Sequence, residues 1–266
     1  MTLAIFATDS LPGARLVVVL AAALGAGVIN AIAGGGTLLT FPSLIAAGLT
    51  PLAANATSTV ALLPASLSAM LGYRSELTGA RRWAVALAIP SLVGGVLGAV
   101  LLLRTSDETF ERVVPWLVFG ATALFFAQRP LRHWMDAAHT HATPGERPPT
   151  VAPLAAQLSV AVYGGYFGAG IGILMLAVLG FMGFSNIHRM NGLKNWGGFC
   201  INIVAALIFA ASGVVDWPVA ATMAIGSITG GYLGARGAQR LPQGAVRALV
   251  VVVGMVSGFW LLTRPR

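Results

Sequence analysis

The segment AIPSLVGGVLGA at residues 88–99 occurs again as AIGSITGGYLGA at residues 224–235. Eight of the twelve positions are identical, and the two copies are separated by 136 residues. Two further pairs share this separation: Asn55 with Asn191, and the pattern Ala-Gly-x-Gly-x-Leu of residues 33–38 with that of residues 169–174. A constant separation over three separate blocks predicts a fold built from two related halves.

The composition excludes a soluble domain. Of 266 residues, 57% are hydrophobic and 9% are charged, whereas a soluble domain carries roughly 25% charged residues. A disordered chain is excluded as well, because disorder requires low hydrophobicity and high charge. A membrane-spanning helix needs roughly 20 apolar residues, so about ten spans with short loops account for the whole chain. The sequence therefore predicts an all-α polytopic membrane protein.

The apolar runs divide into two sets of five. They cover residues 16–33, 37–49, 56–72, 83–103 and 113–127, then 153–169, 171–185, 196–211, 217–235 and 245–263. The second and seventh runs are short and follow glycine clusters, which is typical of re-entrant or broken segments at a transporter's binding site. Polar residues 129–151 are predicted to form a cytoplasmic linker between a first transmembrane repeat, 1–128, and a second, 152–266.

The positive charges indicate the topology. The net charge is +8, and the cations lie mostly in breaks between apolar runs, as topology signals do and nucleic-acid patches do not. Five crossings per half place 11 of the 16 cations on one side, which is then cytoplasmic. An odd number of crossings makes the two repeats inverted. The alternative, eight spans with parallel repeats, would leave the three arginines of loop 236–247 outside.

Several motifs resemble one family over essentially the whole chain. They are NAIAGGGTLLTFP at residues 30–42, NATST at 55–59, GAGIG at 168–172 and RMNGLKN at 189–195, with Asn202 downstream. Together they resemble the TauE/SafE sulfite exporter family of anion transporters. This resemblance implies export of sulfur-containing or organic anions, such as sulfite or sulfonates, across a bacterial inner membrane.

One polar face stands out in the second half. Asn191, Lys194, Asn195 and Asn202 follow helical spacing, and Lys194 is the only lysine of the chain. An ammonium flanked by amides suits a sulfonate or carboxylate head group. The alternative is that Lys194 extends to the membrane interface while the amides only hold helices together.

The corresponding positions of the first half are also polar. Asn55, Ser58 and Thr59 lie 136 residues before Asn191, Lys194 and Asn195, so both halves could present polar groups to one cavity. The alternative is that Asn55 caps a helix and the hydroxyls bond to their own backbone.

The glycine clusters supply a third group of candidates. Glycines before a short helix let backbone N–H groups face an anion, and these candidates are Gly34, Gly35, Gly36, Thr37, Gly170 and Gly172. Close helix packing is the alternative. Packing is our interpretation for the clusters at residues 94–98 and 230–234.

These features predict an anion transporter whose substrate site lies between the two repeats and works by alternating access. The predicted partners are a small anionic substrate and the lipid bilayer, without nucleic acid, and self-association is left open. A passive anion channel is the main alternative. An intramembrane enzyme would need a nucleophile or a metal set, and only Cys200 and unpartnered hydroxyls are present, so neither catalytic residues nor a metal or cofactor is predicted. A membrane scaffold would leave the polar face unexplained.

Overall fold

The computed structural model describes residues 13–32, 35–77, 80–138, 151–184, 186–237 and 243–264. Within these ranges the chain forms eleven α-helices and no strand, which confirms the predicted all-α fold. The helices are α1 (Gly13–Ile32), α2 (Thr37–Ala46), α3 (Pro51–Gly72), α4 (Arg74–Leu77), α5 (Arg81–Arg104), α6 (Asp107–Ala138), α7 (Val151–Tyr166), α8 (Ile171–Phe181), α9 (Ile187–Ser212), α10 (Trp217–Gly237) and α11 (Gln243–Thr263).

The two halves repeat the same order of helices. In chain order, α1, α2, α3, α5 and α6 correspond to α7, α8, α9, α10 and α11, and α4 is an extra turn of the first half. Two helices are longer than their apolar runs. Helix α6 continues to Ala138, into the segment predicted as linker, and α9 begins at Ile187 rather than near residue 196.

Short polar signals set the starts of α3 and α10. Thr50 Oγ1 accepts a hydrogen bond from the Ala53 amide at 3.4 Å, and Pro51 occupies the first helical position, where its missing N–H costs nothing. Asp216 Oδ1 accepts from the Val219 amide at 3.1 Å. Both are N-caps that satisfy amides otherwise left without a partner.

The halves exchange helices at glycine-lined contacts: α1 packs along α10, and α5 packs along α7. A Cβ on Gly98 would overlap the carbonyl of Val162, and a Cβ on Gly230 would overlap the carbonyl of Leu24. Backbones can approach this closely only where side chains are absent. The packing interpretation is therefore confirmed for these glycines, and for Gly94 and Gly95, whose added Cβ atoms would also meet a neighbouring helix.

The corresponding helices α3 and α9 pack against each other and run antiparallel. Three contacts along the pair show the direction: the Asp216 amide just after α9 donates to Thr57 Oγ1 at 3.0 Å, Asn202 Nδ2 donates to Ser66 Oγ at 3.3 Å, and Gly192 lies against Tyr73 and Glu76. Positions that increase along α3 therefore meet positions that decrease along α9.

An aromatic cluster fixes α2 against the second half. The ring of Phe41 on α2 lies 5.4 Å from that of Phe167, and Phe110 lies 5.6 Å from Tyr166, both edge to face. Such pairs contribute about 0.5–1.5 kcal/mol each beyond burial. The cluster anchors the two glycine-containing breaks next to each other.

Three helical stretches of the described chain are long and apolar enough to cross a membrane: Arg81–Arg104, Asp107–Ala127 and Arg189–Ser212. Four shorter apolar stretches accompany them: Leu16–Asn30, Thr37–Ala46, Ile171–Phe181 and Ala248–Thr263. Large apolar side chains such as Phe126 and Ile89 are exposed on the outside of the fold, as expected of a surface that faces lipid.

Candidate functional site

The two short helices begin at glycine-rich breaks that face a shared space. Gly168 and Gly170, before α8, have φ values of 79° and 77°, a left-handed conformation that costs a residue with a side chain about 1–2 kcal/mol. Before α2, the Gly36 amide donates to Asn30 Oδ1 at 3.2 Å. The sequence therefore breaks α1 from α2, and α7 from α8, at corresponding places.

An enclosed cavity of about 60 Å³ lies between the halves. The first half contributes Asn30, Gly35, Thr37, Thr59, Leu62, Ser66 and Ala69, and the second half contributes Gly168, Ile171, Gly172, Met175, Lys194, Asn195, Gly198, Phe199 and Asn202. A water molecule needs about 10–15 Å³ measured in this way. The cavity therefore has room for about four to six waters, or for a compact anion in their place.

Lys194 is the cation of this cavity. Its side chain is 4% exposed, so the alternative in which it extends to the membrane interface is not what the structure shows. Within the described chain, Lys194 forms no hydrogen bond or ion pair, and no Asp or Glu lines the cavity. Because a buried charge without a partner is costly, this arrangement favours an anion as the missing partner.

Further hydrogen-bond donors lie next to Lys194. Asn195 Nδ2 is buried and has no hydrogen-bond partner in the described chain. Gly172, the second residue of α8, lines the cavity, and no described group accepts its amide or caps this helix end. A helix N-terminus carries the equivalent of roughly half a positive charge. The cavity therefore combines an ammonium, an amide and an uncapped helix start.

The opposite wall consists of amide and hydroxyl groups. Asn202 Nδ2 donates to Ser66 Oγ at 3.3 Å, and these two residues occupy equivalent positions of the two halves. Thr59 Oγ1 donates to the carbonyl of Asn55 at 2.9 Å and keeps its lone pairs for another donor. The pseudo-symmetric pair therefore meets in the middle of the cavity wall.

The structure brings seven of the predicted site residues together. Gly35, Thr37, Thr59, Gly172, Lys194, Asn195 and Asn202 line the cavity. Gly34 lies outside the described residues.

Five predicted residues lie elsewhere. Ser58 Oγ is 2.6 Å from Thr40 Oγ1, and Asn55 Nδ2 donates to the carbonyl of Tyr166 at 2.9 Å, so both link α3 to neighbouring segments. Gly36 packs against α1, and Gly170 lies beside Ala121 of α6. Asn191 is half-buried and does not line the cavity.

Sequence reasoning about the site missed several lining residues. Asn30 and Ser66 are single polar residues in apolar runs, and the separation of 136 from Asn202 was the available signal for Ser66. Leu62, Ile171, Met175 and Phe199 form the apolar part of the lining. Their side chains are ordinary for a membrane helix, so only the packing of the two halves identifies them.

Taken together, the helices and the cavity define a multi-pass membrane protein with a donor-rich space between two related halves. The family model for the sulfite exporter TauE/SafE matches residues 19–261, and the chain belongs to this family. Its family is therefore one of membrane transporters rather than of known enzymes.

Curated relatives agree with this placement. The chain is 31% identical over 245 residues to the probable membrane transporter protein ORF9 of Sinorhizobium sp., which covers 92% of this chain and 91% of the relative. It is 29% identical over 247 residues to the probable membrane transporter protein YfcA of Escherichia coli K12, covering 90% and 87%. A probable membrane transporter protein of Haemophilus influenzae is 28% identical over 232 residues, covering 87% and 88%. No solved structure matches the chain significantly.

Proposed function

We propose that this protein carries small anions, sulfur-containing or organic ones such as sulfite or sulfonates, across a bacterial inner membrane. The observation that carries the proposal is Lys194, a buried cation in a cavity without a carboxylate. The substrate anion supplies the counter-charge that the described protein lacks. The family description supports the sulfur-containing class.

The donor set suits a trigonal or tetrahedral oxyanion. Lys194 gives charge from one side, Asn195 Nδ2 gives a directed donor beside it, and the amide of Gly172 approaches from α8. Charge-assisted hydrogen bonds are roughly twice as strong as neutral ones. A volume of about 60 Å³ favours a head group of this kind over a large ligand.

The packing of the halves supports transport by alternating access between two inverted repeats. Because α3 and α9 correspond to each other and run antiparallel, the operation that relates them turns one helix upside down. In a membrane, an axis in the plane of the bilayer does this, whereas an axis along its normal does not. The cavity lies at this interface, where rocking of one repeat against the other would expose it to each side in turn.

The inverted arrangement predicts the side on which each loop lies. Single cysteines in loops 73–82 and 236–247, in a Cys200→Ala background, should react only with a membrane-impermeant reagent applied from the cytoplasmic side. Cys200 is buried, so its removal leaves the loops unchanged. Labelling of loop 236–247 from the outside would contradict inverted repeats and favour eight spans.

Flux measurements test the function itself. Purified protein in liposomes should take up sulfite with saturable kinetics, and a Lys194→Met variant should lose this uptake while an Arg112→Gln control keeps it. Arg112 is an exposed cation that does not line the cavity. Uptake that rises linearly with concentration would favour a channel instead. Absence of flux for sulfite, thiosulfate, sulfoacetate, isethionate and simple carboxylates would refute the proposal.

A further inference from the structure

A second space, far more apolar than the cavity, opens on the outside of the first half. It is a groove of about 470 Å³ between α1, α2 and α11, and its lining consists of Ala21, Ala22, Leu39, Pro42, Ser43, Ala46, Val253, Val256, Ser257 and Trp260. Ligand pockets are typically about 300–1,000 Å³ and mostly apolar. The groove is therefore large enough to hold a ligand, and none of its lining residues belongs to the cavity.

The groove exists because of small side chains that the second half does not share. At the separation of 136 residues, Ala22, Ser43 and Ala46 correspond to larger side chains, Leu158, Leu179 and Met182. Leu179 is 1% exposed and packs in the core of the second half. The duplicated fold therefore fills this position in one half and leaves it open in the other.

A cation stands at one end of the groove. The guanidinium carbon of Arg264 lies 5.6 Å from the ring centre of Trp260, which itself lines the groove. Tryptophan is enriched at the level of lipid head groups, where its ring is amphipathic. Arg264 is exposed, so its remaining donors are available to a phosphate, which guanidinium binds in a bidentate manner.

We propose that this groove binds one acyl chain of an anionic phospholipid whose phosphate is held by Arg264. The apolar lining matches the chain, and the cation stacked on Trp260 matches the head group. The opening faces outward beside exposed apolar residues such as Val256, which is where a bilayer supplies lipid. The occupant is thus defined by apolar length at one end and negative charge at the other.

The lipid would also support α2. Leu39, Pro42 and Ser43 form one wall of the groove, and Thr37 at the start of the same helix lines the cavity. Pro42 lacks the amide that would bond to the carbonyl of Leu38. A bound chain would supply packing on the outer side of this short helix, so lipid binding should raise the thermal stability of the protein.

Native mass spectrometry of the purified full chain tests the proposal. The probes are phosphatidylglycerol and phosphatidylcholine with identical acyl chains, added to delipidated protein in detergent. We expect one phosphatidylglycerol to be retained about fivefold more than phosphatidylcholine, since an arginine near a lipid surface contributes about 1 kcal/mol. Arg264→Gln should abolish this preference, and Arg104→Gln, at the end of another helix, should leave it unchanged.

A second pair of variants tests the groove separately from the charge. Ser43→Leu with Ala46→Met gives the first half the residues of the second and should reduce retention of both lipids at least fivefold. Ala46→Met alone, at an exposed position, serves if the double variant does not fold. Equal retention of the two lipids by the wild type, an unchanged preference in Arg264→Gln, or full retention in the filled-groove variant would overturn the proposal. A lipid-free dimer that Ala46→Met disrupts would also overturn it.

Discussion

Replacing Lys194 with methionine should separate substrate binding from folding. Methionine keeps much of the length and the apolar stem of lysine, so the substitution removes the charge with little change in packing. A buried hydrogen bond to a charged group contributes about 1.5–3 kcal/mol. The dissociation constant for the substrate anion should therefore rise about ten- to a hundredfold.

The sign of the stability change distinguishes a binding role from a structural one. Because Lys194 has no ion pair in the described chain, removing its charge removes a desolvation cost. The substrate-free variant should therefore unfold at the same temperature as the wild type or at a higher one. A residue that holds helices together would show the opposite, a clear loss of stability.

A thermal-shift assay with and without the anion measures both effects. At an anion concentration of about 100 times the dissociation constant, binding stabilises the wild type by about 2.7 kcal/mol. At the same concentration, a variant that binds ten- to a hundredfold more weakly would gain only about 1.4 to 0.4 kcal/mol. An anion-induced shift equal to that of the wild type in a folded Lys194→Met variant would refute the assignment of this cation to the site.

Two further predictions concern the interface between the halves. Gly98→Ala should destabilise the protein by about 1–3 kcal/mol in thermal unfolding, because its Cβ would overlap the carbonyl of Val162; Gly120→Ala, whose Cβ meets nothing within 4 Å, should be neutral, and equal effects of the two would contradict the close packing. In a double-mutant cycle, Ser66→Ala and Asn202→Ala should show a coupling energy of about 0.6 kcal/mol in stability. Strictly additive effects would mean that the bond between the pseudo-symmetric positions contributes nothing.

The helix order was accessible from the sequence because apolar run length and glycine breaks are local signals. The start of α9 was not. The segment with Asn191, Lys194 and Asn195 looked like a polar break, yet α9 begins at Ile187. Those polar groups lie beside a cavity or another helix instead of lipid, so the helix continues through them.

The site was accessible only in part, for the same physical reason. The lysine and its amides were identifiable because polar groups in apolar runs are costly and rare. Ser58 and Asn55 gave the same signal, but their polar atoms bond to Thr40 and to the carbonyl of Tyr166. A sequence shows that a buried polar group needs a partner, and only the packing of the halves shows whether that partner is a protein atom or the space of a ligand.

The most direct test of the anion site is to locate a bound anion. Selenite is a close analogue of sulfite, and its selenium scatters anomalously, so a crystal soaked in selenite would show its position. We predict a peak in the cavity between the halves, within hydrogen-bond distance of Lys194 Nζ and Asn195 Nδ2, that disappears in the Lys194→Met variant. A peak only at exposed arginines, with the cavity unoccupied at saturating selenite, would contradict the account.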